Sequence, residues 1–331
     1  MNFRLVEVLR STSPDWVSSE VLRQPSGVSR AAVSKQIKAL QSLGYEIESS
    51  PRKGYRLLRE PDALNGELIL PFLEGTRFEK APYVYKEVTD STNNDIRKLA
   101  VEGAPEGCIV FAEVQEQGRG RRGRSWFGRA GDSLQFSLLL RPPLRPQDAT
   151  LIPLMAATSI FRALSKCGVE DVSIKWPNDV LIRGRKLCGV LCEMSVDMEG
   201  IQYAMLGIGM NVNTPGQQFP LEIMETACSL ASETGHRWRR SDVLIAILKE
   251  MESELQLAWR GDMASILSGW REGAHTLGKR VQMLMPQGET LEGIAEDINE
   301  QGALLLRDDS GTLHTLHSGE VSLRPISTDV G

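Results

Sequence analysis

Four arginines and three glycines stand together in the segment GRGRRGR, which runs from Gly118 to Arg124. Guanidinium groups pair with phosphates and carboxylates through two parallel hydrogen bonds, and glycines let a backbone close over a ligand. The chain has no GxxxxGK[ST] phosphate loop, and Gly123 does not open a helix as the last glycine of a dinucleotide-binding loop does. The segment is therefore typical of an anion-binding loop. Loose RNA binding and a plain solvated loop remain alternatives.

The composition is that of a globular protein with two or three domains: 331 residues, 41% hydrophobic and 24% charged. Arg4, Glu7 and Arg10 interrupt the first ten residues where a signal peptide needs an apolar run. No stretch of about 18 apolar residues follows. These features predict a cytoplasmic protein that does not associate with a membrane.

The five cysteines form no CxxC pair, and their odd number argues against a closed disulfide framework, so we expect buried thiols. His314 and His317 are close enough in sequence to share a metal ion. No cysteine lies near them, however, and the surrounding residues alternate as in a strand and turn. We therefore predict no metal site built from protein ligands alone.

Charge is distributed unevenly along the chain. The first sixty residues contain ten lysines and arginines and six acids, a net of +4, whereas the whole chain carries −5. A basic head on an acidic body indicates a domain that faces nucleic acid, attached to a domain with another task.

The basic head has the pattern of a winged helix-turn-helix. Ser29 is a suitable N-cap for a helix in which Val33, Ile37 and Leu40 recur at helical spacing and which stops at Gly44. VSSEVLRQPSG before it reads as a shorter helix, and YEIE and GYRLL after it flank the turn SSPRKG. This domain is predicted to span residues 1–60.

Side chains on the second helix and at the tip of the wing are placed to meet bases or phosphates of DNA. A small interaction domain with solvated charges is the alternative. The predicted DNA-binding residues are Arg30, Ser34, Lys35, Lys38, Arg52 and Lys53.

Three further regions follow. Residues 61–75 form a predicted linker with prolines, glycines and acids. Residues 76–271 alternate between strand and helix patterns, which predicts a mixed, largely antiparallel sheet with helices on one face. Gly207 and Gly209 fall in one of its strands, where another group is expected to approach the backbone closely. Residues 272–331 contain short alternating segments separated by turns, which predicts a small β-barrel. The predicted turns lie at Pro286-Gln287-Gly288, Gln301-Gly302 and Ser310-Gly311.

Local signals also mark the elements within residues 76–271. Pro177 is predicted to interrupt a strand, and Arg183 and Gly184 are predicted to form a tight turn into the next one. SDVLIAILKEMESELQLAW (241–259) reads as a capped amphipathic helix that closes this domain near Trp270.

The central region contains five motifs in a particular order. They are DSTN (90–93), AEVQEQGRGRRGRSW (112–126), KWPND (175–179), RKLCGVL (185–191) and GIGMNVN (207–213). In these motifs and their order, the chain resembles the bifunctional biotin-protein ligases that also repress the biotin biosynthesis operon. The first sixty residues resemble that family's DNA-binding domain, and GALLLRD with GEVSLR resembles its carboxy-terminal barrel. The resemblance covers nearly the whole chain.

The resemblance implies an α+β fold in which a class II synthetase-like ligase domain lies between the winged helix-turn-helix and an SH3-like barrel. It also implies that biotin's carboxylate attacks ATP to give biotinyl-5′-AMP, with Mg²⁺ accompanying the nucleotide. A lysine of the biotin carboxyl carrier protein of acetyl-CoA carboxylase then accepts biotin. In this family the adenylate is also a corepressor, because the loaded enzyme forms a homodimer that binds operator DNA.

The same motif matches assign roles to individual residues. The biotin-binding residues implied are Ser91, Thr92, Asn93, Gln115, Arg119, Gly120, Arg121 and Lys186. The nucleotide-binding residues implied are Arg121, Trp126, Asn178, Asn211 and Arg324. Catalysis is assigned to Lys186, Arg121 and Arg119, with Asn178 and Asp179 on the nucleotide and metal side.

Structural roles compete with some of these assignments. We expect Ser91 and Thr92 also to cap the helix that they open. The chain departs from the family pattern at Cys188, where a small residue such as alanine is common, and in GDSLQFS, which replaces the usual GxNLYxS and places Ser133 where Asn is usual.

Two alternative functions stay open at this point. One is a ligase of the same fold that activates lipoate or another acid through an acyl-adenylate. The other is a repressor that senses biotin without catalysis.

Overall fold

The computed structural model describes residues 4–24, 27–198, 200–285, 289–317 and 319–323. The chain folds into two compact units, residues 1–75 and 76–331.

The amino-terminal unit is a helix-turn-helix followed by a two-stranded wing. Its elements are α1 (Arg4–Thr12), α2 (Ser19–Arg23), α3 (Arg30–Ser42), β1 (Glu46–Ser50), β2 (Gly54–Arg59) and α4 (Gly66–Ile69). The Ser29 hydroxyl accepts a hydrogen bond from the Ala32 N–H at 3.2 Å, as its N-cap position predicts. Val33, Ile37 and Leu40 form the buried face of α3.

Two parts of this unit go beyond the sequence prediction. Helix α1 was not predicted, although its buried residues Leu5, Val6 and Leu9 have helical spacing. The segment expected as a linker forms α4 and a 3₁₀ turn over Leu70–Leu73, and it belongs to the amino-terminal unit.

The larger unit is built on a seven-stranded mixed sheet in the order β3-β4-β5-β9-β8-β7-β6. Only β3 and β4 run parallel among these pairs, so the predicted mixed, mostly antiparallel sheet is confirmed. The elements are β3 (Tyr83–Thr89), α5 (Thr92–Val101), β4 (Ile109–Gln115), β5 (Ser133–Leu140), α6 (Leu151–Lys166), β6 (Val172–Lys175), β7 (Asp179–Ile182), β8 (Arg185–Asp197), β9 (Gly200–Asn211), α7 (Leu230–Thr234), α8 (Arg240–Trp259) and α9 (Met263–Gly273).

Apolar side chains fix α5 to this sheet. Ile96 and Ala100 of α5 pack against Val110, Leu139 and Met205 from three adjacent strands, and all five are buried. Burial of aliphatic side chains stabilises the fold by about 1.5–3 kcal/mol for each large residue. The helix therefore holds its amino-terminal residues firmly at the edge of the cavity described below.

Local sequence signals explain the breaks between β6, β7 and β8. Pro177 separates β6 from β7, as predicted, and Arg183 and Gly184 form the hairpin turn into β8 with φ of 49° and 78°. Positive φ at both central positions matches the twist of a two-residue hairpin.

The helical end of this unit differs in detail from the prediction. Helix α8 begins at Arg240, so Ser241 lies inside it and does not cap it, and no side chain caps its first turn. Helix α9 was not predicted as a separate element. It starts after the Gly261 turn, where the Asp262 carboxylate accepts from the Ser265 N–H at 3.1 Å.

The last region is a five-stranded antiparallel sheet in the order β13-β12-β11-β10-β14. Its strands are β10 (Arg280–Leu284), β11 (Thr290–Ile298), β12 (Leu304–Arg307), β13 (Leu313–Leu316) and β14 (Glu320–Leu323). The turn predicted at Pro286-Gln287-Gly288 lies outside the described residues.

Cysteine and histidine environments partly differ from expectation. All five cysteines are free thiols, but Cys167 is exposed and Cys192 is half-buried, so the expectation that the thiols are buried is wrong for these two. His314 Nε2 lies 2.7 Å from Asp308 Oδ2. In the described part of the chain, no three His, Cys, Asp or Glu side chains are grouped to hold a metal, and none of the helices there combines the length and the apolar composition that spanning a bilayer requires.

Candidate active site

A cavity of about 510 Å³ opens on the central sheet, between the start of α5, the Gly/Arg loop (residues 118–124), the loop between β6 and β7, and strands β8 and β9. Arg324, one of the predicted nucleotide-binding residues, lies outside the described residues. The other predicted biotin-binding, nucleotide-binding and catalytic residues all line this cavity: Ser91, Thr92, Asn93, Gln115, Arg119, Gly120, Arg121, Trp126, Asn178, Asp179, Lys186 and Asn211.

The start of α5 is capped by a side chain from strand β4. Ser91 occupies the N-cap position, but its hydroxyl accepts no hydrogen bond from the helix, so its expected capping role is wrong. Gln115 Oε1 instead accepts from the Thr92 N–H at 2.8 Å and from Thr92 Oγ1 at 3.1 Å. The last residue of β4 thus holds the first residue of α5 beside the cavity.

Asn93 is buried beneath the cavity with both ends of its amide engaged. Its Oδ1 accepts from the Ser137 hydroxyl at 2.6 Å, and its Nδ2 donates to Glu193 Oε2 at 2.8 Å. A Cβ on Gly207 would lie 2.6 Å from Asn93 Oδ1, which explains the glycine. The close approach predicted at Gly207 is confirmed.

Arg119 is attached to α5 through Asn94. Its Nη2 donates to Asn94 Oδ1 at 2.5 Å. Hydrogen bonds from the Asn94 side chain and the Ser91 N–H lower the pKa of the Asp90 carboxyl to about 2. Asp90 therefore stays ionised at neutral pH and holds the strand-to-helix junction in place.

Arg121 joins the Gly/Arg loop to two other parts of the unit. Its Nη1 donates to Asn178 Oδ1 at 3.0 Å, and its Nη2 donates to the Gly319 carbonyl at 3.2 Å. Asn178 Nδ2 donates in turn to the Val190 carbonyl at 2.6 Å. Arg122 adds a bond to the Met285 carbonyl at 3.3 Å. The loop is therefore anchored on β8 and on the carboxy-terminal sheet.

These contacts from the carboxy-terminal sheet were not predicted. Gly319 and Val321 line the cavity, whereas Arg324 was the only site residue predicted in this region. The motif GEVSLR was the available signal, because it begins at Gly319.

The Trp126 ring lies against glycines of the sheet. A Cβ on Gly209 would lie 2.3 Å from the ring, and one on Gly189 would lie 3.2 Å from it, so the close approach predicted at Gly209 is confirmed. Trp126 Nε1 and Asn211 Oδ1 are buried without a hydrogen-bond partner among the described residues. An unpaired buried donor and acceptor are costly, so both suit a polar ligand that would bond them.

Lys186 places a cation near this ring. Its Nζ lies 2.7 Å from Asp179 Oδ1 and 5.9 Å from the ring centroid of Trp126. Cys188, two residues further along β8, is buried, and burial raises the pKa of its thiol. The thiol is therefore protonated at neutral pH and fills space without reacting.

The amino-terminal unit presents a separate cationic surface. Arg10, Arg23, Arg56 and Arg59 are each paired with a glutamate of the same unit. The predicted DNA-binding cations are Arg30, Lys35, Lys38, Arg52 and Lys53. All five are exposed and have no carboxylate partner among the described residues, while Ser34 beside them is half-buried. Unneutralised charge is concentrated on the predicted DNA-binding face.

Comparison with known proteins agrees with these features. Residues 85–211 match the biotin/lipoate A/B protein ligase family, residues 276–324 the biotin protein ligase C terminal domain, and residues 2–56 an HTH domain. The bifunctional ligase/repressor BirA of Bacillus spizizenii is 32% identical over 96% of this chain and 97% of its own length. The chain belongs to the BirA family of bifunctional ligase/repressors. BirA of Escherichia coli is 31% identical, over 93% of this chain and 92% of its own.

A solved structure of the same family supports the fold. Biotin protein ligase from Aquifex aeolicus, in complex with biotin and ATP, matches with a TM-score of 0.62 and 31% identity. The match covers 73% of this chain and 98% of that protein. The ligase fold of the BirA family and its carboxy-terminal domain therefore account for the larger unit.

Proposed function

We propose that this chain activates biotin with ATP to biotinyl-5′-AMP and transfers biotin to a lysine of the biotin carboxyl carrier protein of acetyl-CoA carboxylase. The observation that carries the proposal is that one cavity is lined by Lys186 and by all four arginines of the Gly/Arg loop, together with the unpaired buried atoms Trp126 Nε1 and Asn211 Oδ1. BirA family membership supplies the reaction class.

In the first step, an oxygen of the biotin carboxylate attacks the α-phosphorus of ATP. The new P–O bond forms as the bond to pyrophosphate breaks, and pyrophosphate leaves with the electron pair. Two anions must approach each other, so positive charge lowers the barrier most where both are bound. Lys186 and Arg121 are the side chains that we assign to this task.

Arg119 and Gly120 are assigned to covering the biotin. Trp126 Nε1 offers a donor to the nucleotide side, and Asn211 Oδ1 offers an acceptor to an amino group such as that of adenine. Asn178 acts through Arg121, because its amide is already bonded to that arginine and to β8.

In the second step, the unprotonated lysine amine of the carrier attacks the carbonyl carbon of the mixed anhydride. An amide bond forms, the bond to phosphate breaks, and AMP leaves with that electron pair while the amine loses a proton. Water competes for the same carbonyl. The anchored Gly/Arg loop excludes water from the anhydride until the carrier arrives.

Magnesium is expected to arrive with the ATP phosphates. Mg²⁺ is usually held by one or two carboxylates together with substrate phosphates. Asp179 is one such carboxylate, although it is paired with Lys186, and Glu222 also lines the cavity. The residues fit an ion that neutralises the phosphates, with Asp179 as its assigned protein ligand.

The adenylate is also assigned as a corepressor that promotes a homodimer able to bind operator DNA. The cationic face of α3 and the wing supports the DNA part, and family membership supports the coupling. A cytoplasmic location is consistent with both partners.

A direct assay tests the ligase. The protein, with Mg²⁺, ATP, biotin and a carrier domain, should release pyrophosphate and add one biotin to the carrier, and mass spectrometry should detect biotinyl-5′-AMP without carrier. Adenylation of lipoate in place of biotin would refute the substrate. Biotin binding without formation of the adenylate would show that the protein senses biotin but does not catalyse its activation.

Operator binding tests the second function. The Arg30→Ala/Lys35→Ala protein should bind operator DNA weakly, and its affinity should depend less on salt by about one unit of log–log slope per lost phosphate contact. Arg59→Ala is the control, because Arg59 is exposed but already paired with Glu46. Equal effects of the two changes would contradict the assigned face.

A further inference from the structure

Gln135 of β5 lies behind the wall of the cavity, only 1% exposed. It belongs to the segment GDSLQFS, at the position where the family pattern GxNLYxS has tyrosine. Its Nε2 donates to the Glu113 carbonyl at 3.0 Å, and its Oε1 accepts from Gln115 Nε2 at 3.2 Å. The cavity residue Gln115 is thus held from behind by a second glutamine.

The two ends of this chain of hydrogen bonds fix how the side-chain amides of Gln135 and Gln115 are turned. The Glu113 carbonyl can only accept, so Gln135 must turn its Nε2 toward it and its Oε1 toward Gln115. The Thr92 N–H can only donate, so Gln115 must turn its Oε1 toward Thr92 and its Nε2 toward Gln135. The two requirements agree, and the amide of Gln115 is fixed.

A fixed amide has a definite ligand preference. Gln115 Oε1 is occupied twice by Thr92, and one of the two Nε2 hydrogens is held by Gln135. The second Nε2 hydrogen remains for the cavity. Gln115 therefore meets the substrate as a hydrogen-bond donor.

We propose that Gln135 is a positioning residue that holds Gln115 as a donor toward an acceptor on the substrate ring, such as the oxygen of a cyclic urea. The inference rests on the proposed biotin-ligase function and assigns a determinant of biotin affinity outside the cavity lining.

Gly128 gives independent support. A Cβ at this position would lie 2.6 Å from Gln135 Cδ and Oε1, and 2.9 Å from Nε2. The backbone at Gly128 therefore packs directly on the amide and leaves it little freedom to move. An alanine there would displace the end of the Gln135 side chain while leaving its chemistry intact.

Steady-state kinetics of the full chain test the inference. Gln135→Met keeps the side-chain length but removes both hydrogen bonds, so KM for biotin should rise about tenfold. KM for ATP and kcat should stay within about twofold, because Gln115 is assigned to the biotin ring alone. Leu138→Met is the matched control, since Leu138 is a fully buried residue of the same strand outside this chain of hydrogen bonds.

Gly128→Ala provides the second arm. It should also raise KM for biotin, and adding it to Gln135→Met should cause no further rise, because both act through one amide. Neutron diffraction of the unaltered protein, which distinguishes the amide nitrogen from the oxygen, should show Gln115 Nε2 facing Gln135.

Three results would overturn the inference: an unchanged biotin KM in Gln135→Met, an equal rise of the KM values for both substrates, or a reversed Gln115 amide. Each leaves biotin ligation intact. Failure of the unaltered protein to adenylate biotin would refute the proposed function instead, so the two failures are distinguishable.

Discussion

Lys186 Nζ lies 2.7 Å from Asp179 Oδ1 in a contact that is an ion pair without hydrogen-bond geometry. The two residues come from the paired strands β7 and β8, with 40% of the Lys186 side chain and 19% of the Asp179 side chain exposed. The lysine assigned to two anionic substrates thus has an anionic neighbour. Asp179 holds the ammonium in the cavity and must share it when a carboxylate or phosphate binds.

Removing this ammonium should slow adenylate formation strongly. Lys186→Met keeps the length of the side chain but leaves Asp179 as uncompensated negative charge beside two anionic reactants. We expect kcat for pyrophosphate release to fall about 10²- to 10³-fold, as when one group that stabilises developing charge is lost.

Lys166→Met is the control for that change. Lys166 is also paired with an acid, Glu250 at 2.6 Å, but it lies at the end of α6 and does not line the cavity. Its replacement should leave pyrophosphate release unchanged. A similar loss in both variants would show that charge at Lys186 has no particular role.

The contact between Trp126 and Gly209 predicts a second effect. In Gly209→Ala the new methyl group would occupy the space of the indole ring, so the ring and the adjoining Gly/Arg loop must shift. We expect KM for ATP to rise about tenfold or more in the pyrophosphate-release assay. Gly216→Ala should have no effect, because nothing lies within 4 Å of a Cβ at that position.

Much of the fold was readable because local signals agreed with the final structure. Ser29 caps α3, and the Arg183-Gly184 turn and the Pro177 break lie where their residue types predicted. Helix α9 was not readable as a separate element, because it follows α8 after only three residues. Helix α1 was not predicted, although the helical spacing of Leu5, Val6 and Leu9 was a readable signal for it.

The motifs identified residues that line one cavity, but they did not give the hydrogen bonds that these residues make. Asn93 and Asn178 were predicted as ligand-binding residues, yet each uses its amide on protein groups. Gln115 caps α5 from 23 residues away, a partnership that depends on how β4 lies beside the helix. No pattern in one sequence specifies such long-range bonds, because they are set by tertiary packing.

The link between Arg121 and Gly319 predicts that the carboxy-terminal sheet controls the Gly/Arg loop. Gly319 has φ of 151°, and a Cβ there would lie 2.4 Å from Met283 Sδ. Gly319→Ala should therefore displace the carbonyl that holds Arg121. We expect trypsin to cleave the loop several-fold faster in the presence of biotin and ATP, as measured by mass spectrometry of the fragments.

Gly311→Ala is the matched control for loop cleavage. Gly311 also has positive φ, 85°, and lies in the same sheet region, but its surroundings are open. It should carry a similar backbone strain without altering cleavage of the loop. Equal rates of loop cleavage in the two variants would show that Gly319 does not control the Gly/Arg loop.

Glu254 of α8 gives the protein a pH-dependent stability. Its side chain is 1% exposed, and burial raises the pKa of the carboxyl from 4.5 to about 7, against the attraction of Arg162 and with the repulsion of Glu250 and Glu272. Between these two pKa values the folded state binds more protons than the unfolded state. The stabilisation is thus complete below about pH 4.5 and is lost as the pH rises through 7.

Glu254→Gln should remove this slope. The free energy of unfolding from urea titrations should fall between pH 5 and pH 8 by about 2 to 3 kcal/mol less in the variant than in the unaltered protein. Glu252→Gln is the control on the same helix: burial raises the pKa of the Glu252 carboxyl, but hydrogen bonds from Arg77 outweigh this and lower it. Glu252 stays ionised from pH 5 to 8 in both states, so its replacement should leave the slope between these pH values intact. A slope that survives in Glu254→Gln would place the proton uptake elsewhere.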